Sequence, residues 1–126
     1  MPLERVCTLA ARTSGLRMLI LFGSRARGDA RAQSDWDLAY GADPSFDVDH
    51  FMSDVAGLLA ADRIDLVDLD RAGGQLRFRV ARDGRVLHAD DEARFERFWL
   101  DAVSFWCDAE PIVRRGYDEL LAELGR

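Results

Sequence analysis

The chain is poor in the residues that bind soft metals or cross-link a fold. Its 126 residues include two cysteines, Cys7 and Cys107, near opposite ends, and two isolated histidines, His50 and His88. With no Cys-x-x-Cys pair and no Cys/His cluster, zinc has no ligand set, and both cysteines read as ordinary packing or surface thiols. No stretch approaches the roughly 18 unbroken apolar residues of a membrane span. The first residues, "MPLERVCTLAARTSG", lack the apolar segment of a secretory signal. A cytoplasmic protein without a membrane partner is therefore expected. Positive charge is also short: 17 basic residues against 23 acidic, a net charge of −6. Phosphate contacts drive nucleic-acid affinity, so this balance disfavours nucleic acid as a direct substrate while leaving room for a local basic patch. Internal repeats and low-complexity tracts are missing too.

What is present describes one domain large enough to bury a core, 48% hydrophobic and 32% charged. "MPLERVCTLAARTS" places Val6, Leu9 and Ala10 for a short amphipathic helix, which Gly15 ends. The nearly unbroken apolar run "LRMLILF" (16–22) predicts a strand buried on both faces. A turn and short helix follow in "GSRARGDARAQS". "DWDLAY" (35–40) alternates, with Asp35, Asp37 and Ala39 on one side and Trp36, Leu38 and Tyr40 on the other. Val48, Phe51, Met52, Val55, Leu58 and Leu59 fall at helical spacing, predicting a helix over about 46–61. "RIDLVDLD" (63–70) is a third strand whose two faces are equally tolerable.

Residues 71–90 fit either a hairpin turning at Asp83-Gly84 or a short helix followed by a strand, "RVLHA". Beyond residue 90 the pattern is helical. Phe95, Phe98, Trp99, Ala102 and Trp106 make one apolar stripe. Val113, Tyr117, Leu120, Leu121 and Leu124 make a second, after a break at Pro111. These helices either cover the sheet and each other or dock a protein partner.

Two carboxylates at i and i+2 of a strand project the same way, with Cα atoms about 6.5–7 Å apart. Unpaired, they repel; around a hard divalent cation the repulsion becomes a ligand field, and Mg²⁺ is commonly held by one or two carboxylates plus substrate phosphates. An acid from strand 63–70 would admit a second ion, the arrangement for in-line phosphoryl displacement. Gly23 lets backbone approach a phosphate, and Ser24 offers a hydroxyl and an N–H where a helix begins. Arg25 and Arg27 can add charge-assisted bonds. Asp-x-Asp alone or Gly-Ser alone is a weak signal, but the two ten residues apart, each on its own strand, form a specific one.

That segment, "LFGSRARGDARAQSDWDLAY", resembles the minimal nucleotidyltransferase (MNT) domains of the polymerase-β-like superfamily, which share Gly-Ser, ten residues and Asp-x-Asp. The resemblance runs through "IDLVDLDRA" and "DGRVLHAD", covering about residues 16–90. The tail, with "FWCDAEPIVRRGYDELL", is similar to the end of MNT antitoxins paired with HEPN-domain toxins. The resemblance implies an α/β (α+β) fold: a small mixed β-sheet with helices on one face, a core over 1–90 and a C-terminal helical extension over 91–126 that docks the partner. It implies a helix at about 72–82, whose start Gly73-Gly74 would weaken, and it marks Trp36 as a departure that enlarges the space behind its strand. Gly23 and Ser24 would bind the triphosphate, Asp35 and Asp37 both metals, and Asp65 would be the third carboxylate, with Asp68 as the alternative.

The implied activity is transfer of AMP from ATP, with two Mg²⁺ ions, to a tyrosine hydroxyl of a HEPN toxin held in a hetero-oligomer. The competing readings are transfer to a small-molecule acceptor, or an antitoxin that acts by binding alone.

Overall fold

The computed structural model describes residues 2–28 and 35–107, with the side chains of 106 and 107 excepted. The elements are α1 (Pro2–Arg12), β1 (Leu16–Phe22), α2 (Ser24–Arg27), β2 (Trp36–Ala42), α3 (Val48–Leu59), β3 (Ile64–Asp68), α4 (Gly74–Asp83), β4 (Arg85–Ala89) and α5 (Arg94–Cys107). The sheet runs in the order β3-β2-β1-β4. β1 is antiparallel to both β2 and β4, and β2 is parallel to β3, so the expected mixed sheet is present. A parallel pair needs a crossover, and α3 supplies it between β2 and β3.

β1 is one of the two inner strands, and its apolar run is buried on both sides. Met18, Ile20 and Phe22 face a core completed by Ala39 of β2, Leu69, Val80 and Ala81 of α4, and Phe98 and Ala102 of α5. Leu19 and Leu21 face a second core with Leu38 of β2, Val6 and Ala10 of α1, and Phe51 and Val55 of α3. Helices therefore cover both faces of the sheet, which corrects the expectation that they lie on one. The reason is local: a strand apolar at every position but one cannot leave either face to water.

α3 spans 48–59, inside the expected 46–61, and starts where the Asp47 side chain accepts the His50 N–H at 3.1 Å. Residues 74–83 are helix and 85–89 strand, so the hairpin alternative falls away. Gly84 has φ −69° and ψ 145°, ordinary extended backbone rather than the left-handed conformation a tight hairpin turn requires. The Gly73-Gly74 start is explained by packing: a Cβ on Gly74 would collide with the Phe105 ring, so its absence lets α5 lie against the first turn of α4. On α5, Phe98 and Ala102 are buried, but Trp99, Leu100 and Phe105 are exposed, so Trp99 leaves the predicted stripe. The second predicted stripe, 113–124, lies outside the described residues. Among the described residues no helix is long and apolar enough to cross a membrane.

Candidate active site

The candidate site forms at the end of the sheet where β1 stops and β2 and β3 begin. At Gly23 the chain leaves the strand with φ 74° and ψ −157°, a conformation essentially reserved for glycine. The amides of Ala26 and Arg27 bond back to the Gly23 carbonyl, each at 3.1 Å, winding the single turn of α2. Gly28, in the left-handed conformation, closes it by donating its N–H to the Ser24 carbonyl. Space is as restrictive as angle here. A Cβ on Gly23 would collide with Asp37 Oδ2 and stand 3.1 Å from its Cγ. The carboxylate of the second acid thus lies directly over the glycine of the Gly-Ser step.

Register gathers the acids. Asp37 is opposite Phe22 across β1–β2 and opposite Asp65 across β2–β3. Residues directly paired on neighbouring strands share a face, at a strand spacing of about 4.8 Å. Asp35, two residues back, belongs to that face as well. The consequence is electrostatic. The Asp37 carboxyl is raised above its ordinary value first by burial, then by the negative charges of Asp65 and Asp35. Arg79 and Arg27 act in the opposite direction without cancelling it. A half-buried carboxylate with two like charges beside it suits a hard divalent cation. Among the described residues, no three Asp, Glu, His or Cys side chains close around a single point as a ready-made cage. The acids form an open row centred on Asp37, with Asp35 and Asp65 exposed.

The two-way parity of β3 is resolved by the same register. Asp68 pairs with Tyr40 and so lies on the opposite face of the sheet from Asp37 and Asp65. There it accepts the Asp70 N–H at 2.9 Å and stands 3.8 Å from Arg71. Its charge, after burial, is the next influence raising the Tyr40 hydroxyl. Asp68 is a turn-forming residue and does not join the row.

The arginines divide in a way the sequence reading missed. The Arg25 guanidinium stacks over the Trp36 ring, 3.9 Å from its centroid, on the face away from the acids. Behind the strand, Trp36 receives an arginine. Arg27 lies 3.9 Å from Asp83 at the end of α4, and Arg82 makes two hydrogen bonds to the same carboxylate, at 3.0 and 2.8 Å. Arg79 and Asp83 went unnoticed because their i, i+4 relation exists only once 74–83 is known to be helix. A cavity of about 290 Å³, lined by Arg17, Met18, Leu69, Arg77 and Phe98 among others, lies toward the opposite end of the sheet, away from the acids.

Comparison with known proteins follows the same residues. A family described as polymerase beta, nucleotidyltransferase matches residues 4–93, ending just before α5. Protein adenylyltransferase MntA of Aphanizomenon flos-aquae (strain 2012/KM1/D3) is 35% identical over 95 residues, 66% of this chain and 63% of that protein. The chain thus spans less than two thirds of the length of that curated relative. A toxin–antitoxin crystal structure with AMP-PNP aligns at TM-score 0.70 and 24% identity, over 95% of this chain and 98% of the matched one. A complex of a tri-AMPylated Shewanella oneidensis HEPN toxin with an MNT antitoxin aligns at TM-score 0.67 and 22% identity, over 95% and 96%. At such identities the structural likenesses establish the fold. A family match across 90 residues that contain the glycine turn, the acid row and the whole sheet establishes more: the chain belongs to the polymerase beta nucleotidyltransferase family.

Proposed function

We propose that the chain is an antitoxin that transfers AMP from ATP to a tyrosine hydroxyl of a HEPN-domain toxin, silencing it within a hetero-oligomer. One observation carries the chemistry: Asp37 lies over Gly23 and beside Asp65, so the acid row and the Gly-Ser turn form one site. The choice of acceptor is supported by the relatives, one named a protein adenylyltransferase and one solved with an AMPylated HEPN toxin. The nucleotide is supported by the relative solved with AMP-PNP.

In this reading the Gly23-Ser24 turn seats the triphosphate. Gly23 lets phosphate oxygens approach the backbone, and Ser24, whose side chain makes no hydrogen bond among the described residues, offers its hydroxyl. Asp35, Asp37 and Asp65 would hold two Mg²⁺ ions. Such ions, when bound, screen the charge that develops on the α-phosphate. The acceptor oxygen bonds to the α-phosphorus as the bond to the bridging oxygen breaks, and pyrophosphate leaves. The hydroxyl proton would go to a carboxylate, and Asp65, exposed beside Asp37, would either take it or help hold the metal that lowers the hydroxyl's pKa. Most of the rate comes from positioning and charge, as is general for phosphoryl transfer. Residues 91–126 serve as the docking extension, with Trp99 and Leu100 exposed on α5.

The test is to incubate the chain with Mg²⁺, ATP and the toxin and to weigh the toxin. A mass increase by whole adenylyl groups is expected. Binding without any increase would defeat the proposal. Neutralisation of the toxin by an Asp35→Asn/Asp37→Asn variant as well as by wild type would show that binding alone suffices.

A further inference from the structure

A triphosphate beside three carboxylates needs positive charge from the protein as well as from metal, and here that charge has to be guanidinium, since the chain contains no lysine. Four arginines of α2 and α4 lie at this end of the sheet. Arg25 is stacked on Trp36, on the far face. Arg82 is committed to Asp83 through two hydrogen bonds, and Arg27 lies 3.9 Å from that same carboxylate. Arg79 differs from all three. It is exposed, and among the described residues it forms no hydrogen bond or ion pair.

Its position follows from the helix. α4 packs against the sheet face that carries Asp37 and Asp65, with Val80 and Ala81 buried beside Ile20, Phe22 and Ala39. It runs toward the acid end, because Arg85, two residues past its last residue, pairs with Leu21. Residues 79 and 83 share one side of the helix, and Asp83 reaches toward Arg27 of α2. That side therefore looks onto the Gly-Ser turn, with Arg79 one helical turn before Asp83. Arg79, ahead of Arg27, opposes the rise of the Asp37 carboxyl, as a guanidinium on that side of α4 should. Arg79 stands one turn before the end of α4, and with no hydrogen bond or ion pair among the described residues its guanidinium is open to an anion.

We propose that Arg79 binds the β- and γ-phosphates of the nucleotide, the part that leaves as pyrophosphate. The inference rests on the nucleotidyltransferase reading above. A planar guanidinium matches phosphate oxygens bidentately, so lysine in its place keeps the charge and loses the fork.

The experiment is calorimetric titration of the full chain with Mg²⁺ and α,β-methylene-ATP, which cannot be transferred, and separately with AMP. Wild type binds the analogue. Arg79→Ala weakens the analogue roughly ten- to hundredfold, the loss expected for charge-assisted phosphate bonds, and leaves AMP binding unchanged. Arg79→Lys falls between. Since Arg79 is exposed and pairs with nothing described, both variants fold, which circular dichroism checks. Equal analogue binding by wild type and Arg79→Ala would overturn the assignment while leaving the nucleotide reading intact. An equal loss of AMP binding would overturn it too. Failure of wild type to bind the analogue would overturn both.

Discussion

Replacing Gly23 by alanine strikes the backbone and the acid row together, and the structure allows the two costs to be separated. The backbone pair φ 74°, ψ −157° is a region that residues with a Cβ occupy at about 1–3 kcal/mol. The new methyl also collides with Asp37 Oδ2 and crowds its Cγ, an overpacking cost of about 1–3 kcal/mol more. Gly23→Ala should therefore destabilise the chain by about 2–6 kcal/mol. In urea, with a slope of about 2 kcal/mol per molar, the midpoint falls by roughly 1–3 M. In an Asp37→Ala background the carboxylate is gone and only the backbone strain and a 3.3 Å contact with the Asp37 Cβ remain. The same substitution should then cost about 1–3 kcal/mol, leaving a coupling of the same order between the two positions. With Asp37 intact, AMP transfer should fall about a hundredfold or more, since a displacement of about 1 Å at reacting groups has that effect. Four urea curves and one transfer assay complete the cycle. A cost for Gly23→Ala that is equal in both backgrounds would refute the claim that the Asp37 carboxylate lies on the glycine.

Three further outcomes follow from the site. Because burial and then Asp65 and Asp35 raise the Asp37 carboxyl, the folded protein holds that proton more tightly than the unfolded chain. The metal-free protein therefore loses stability as pH rises through the raised folded value, and recovers it below the ordinary carboxylate range. Asp37→Asn should be more stable than wild type at neutral pH and lose that advantage in acid, and Mg²⁺ should raise the melting temperature of wild type only; thermal melts from about pH 3 to pH 8 read both. Asp65→Asn should abolish AMP transfer, whereas Asp68→Asn should leave it near wild type and cost about 0.5–1.5 kcal/mol through the weakened bond to the Asp70 N–H, read by urea titration beside the transfer assay. Trp36→Leu should remove the Arg25 stack, lowering stability by about 0.5–2 kcal/mol without ending transfer; complete loss of transfer would show that the stack belongs to the chemistry.

Most of the site was legible because it sits where short-range patterns are strongest. The alternation in "DWDLAY" placed Asp35 and Asp37 together, and a glycine directly after an apolar strand marked the turn. The third acid was not legible from its own strand. Asp65 and Asp68 lie on opposite faces, each with apolar companions, and only the pairing of Asp37 with Asp65 chooses between them. Arg25, beside Ser24 in sequence, also stacks on a tryptophan on the reverse face of β2, a contact that only the folded sheet reveals. The helices of the second sheet face were missed for a comparable reason. The two-sided burial of β1 was visible in its sequence, yet the resemblance suggested cover on one side, and the strand's own apolarity proved the better guide.

The parallel pairing of β2 and β3 ties the third acid to distant residues. Asp65 reaches its place only by way of α3, and α3 is anchored by Phe51 and Val55, both buried among side chains behind the sheet. Hollowing out that rear packing would loosen β3 first, because β2 shares the same core but is also held by its pairing with β1. If Asp65 acts as proposed, a lesion with no path to the solvent in front would slow turnover more than ATP binding, and loss of turnover with retained ATP affinity would be the signature of damage from behind.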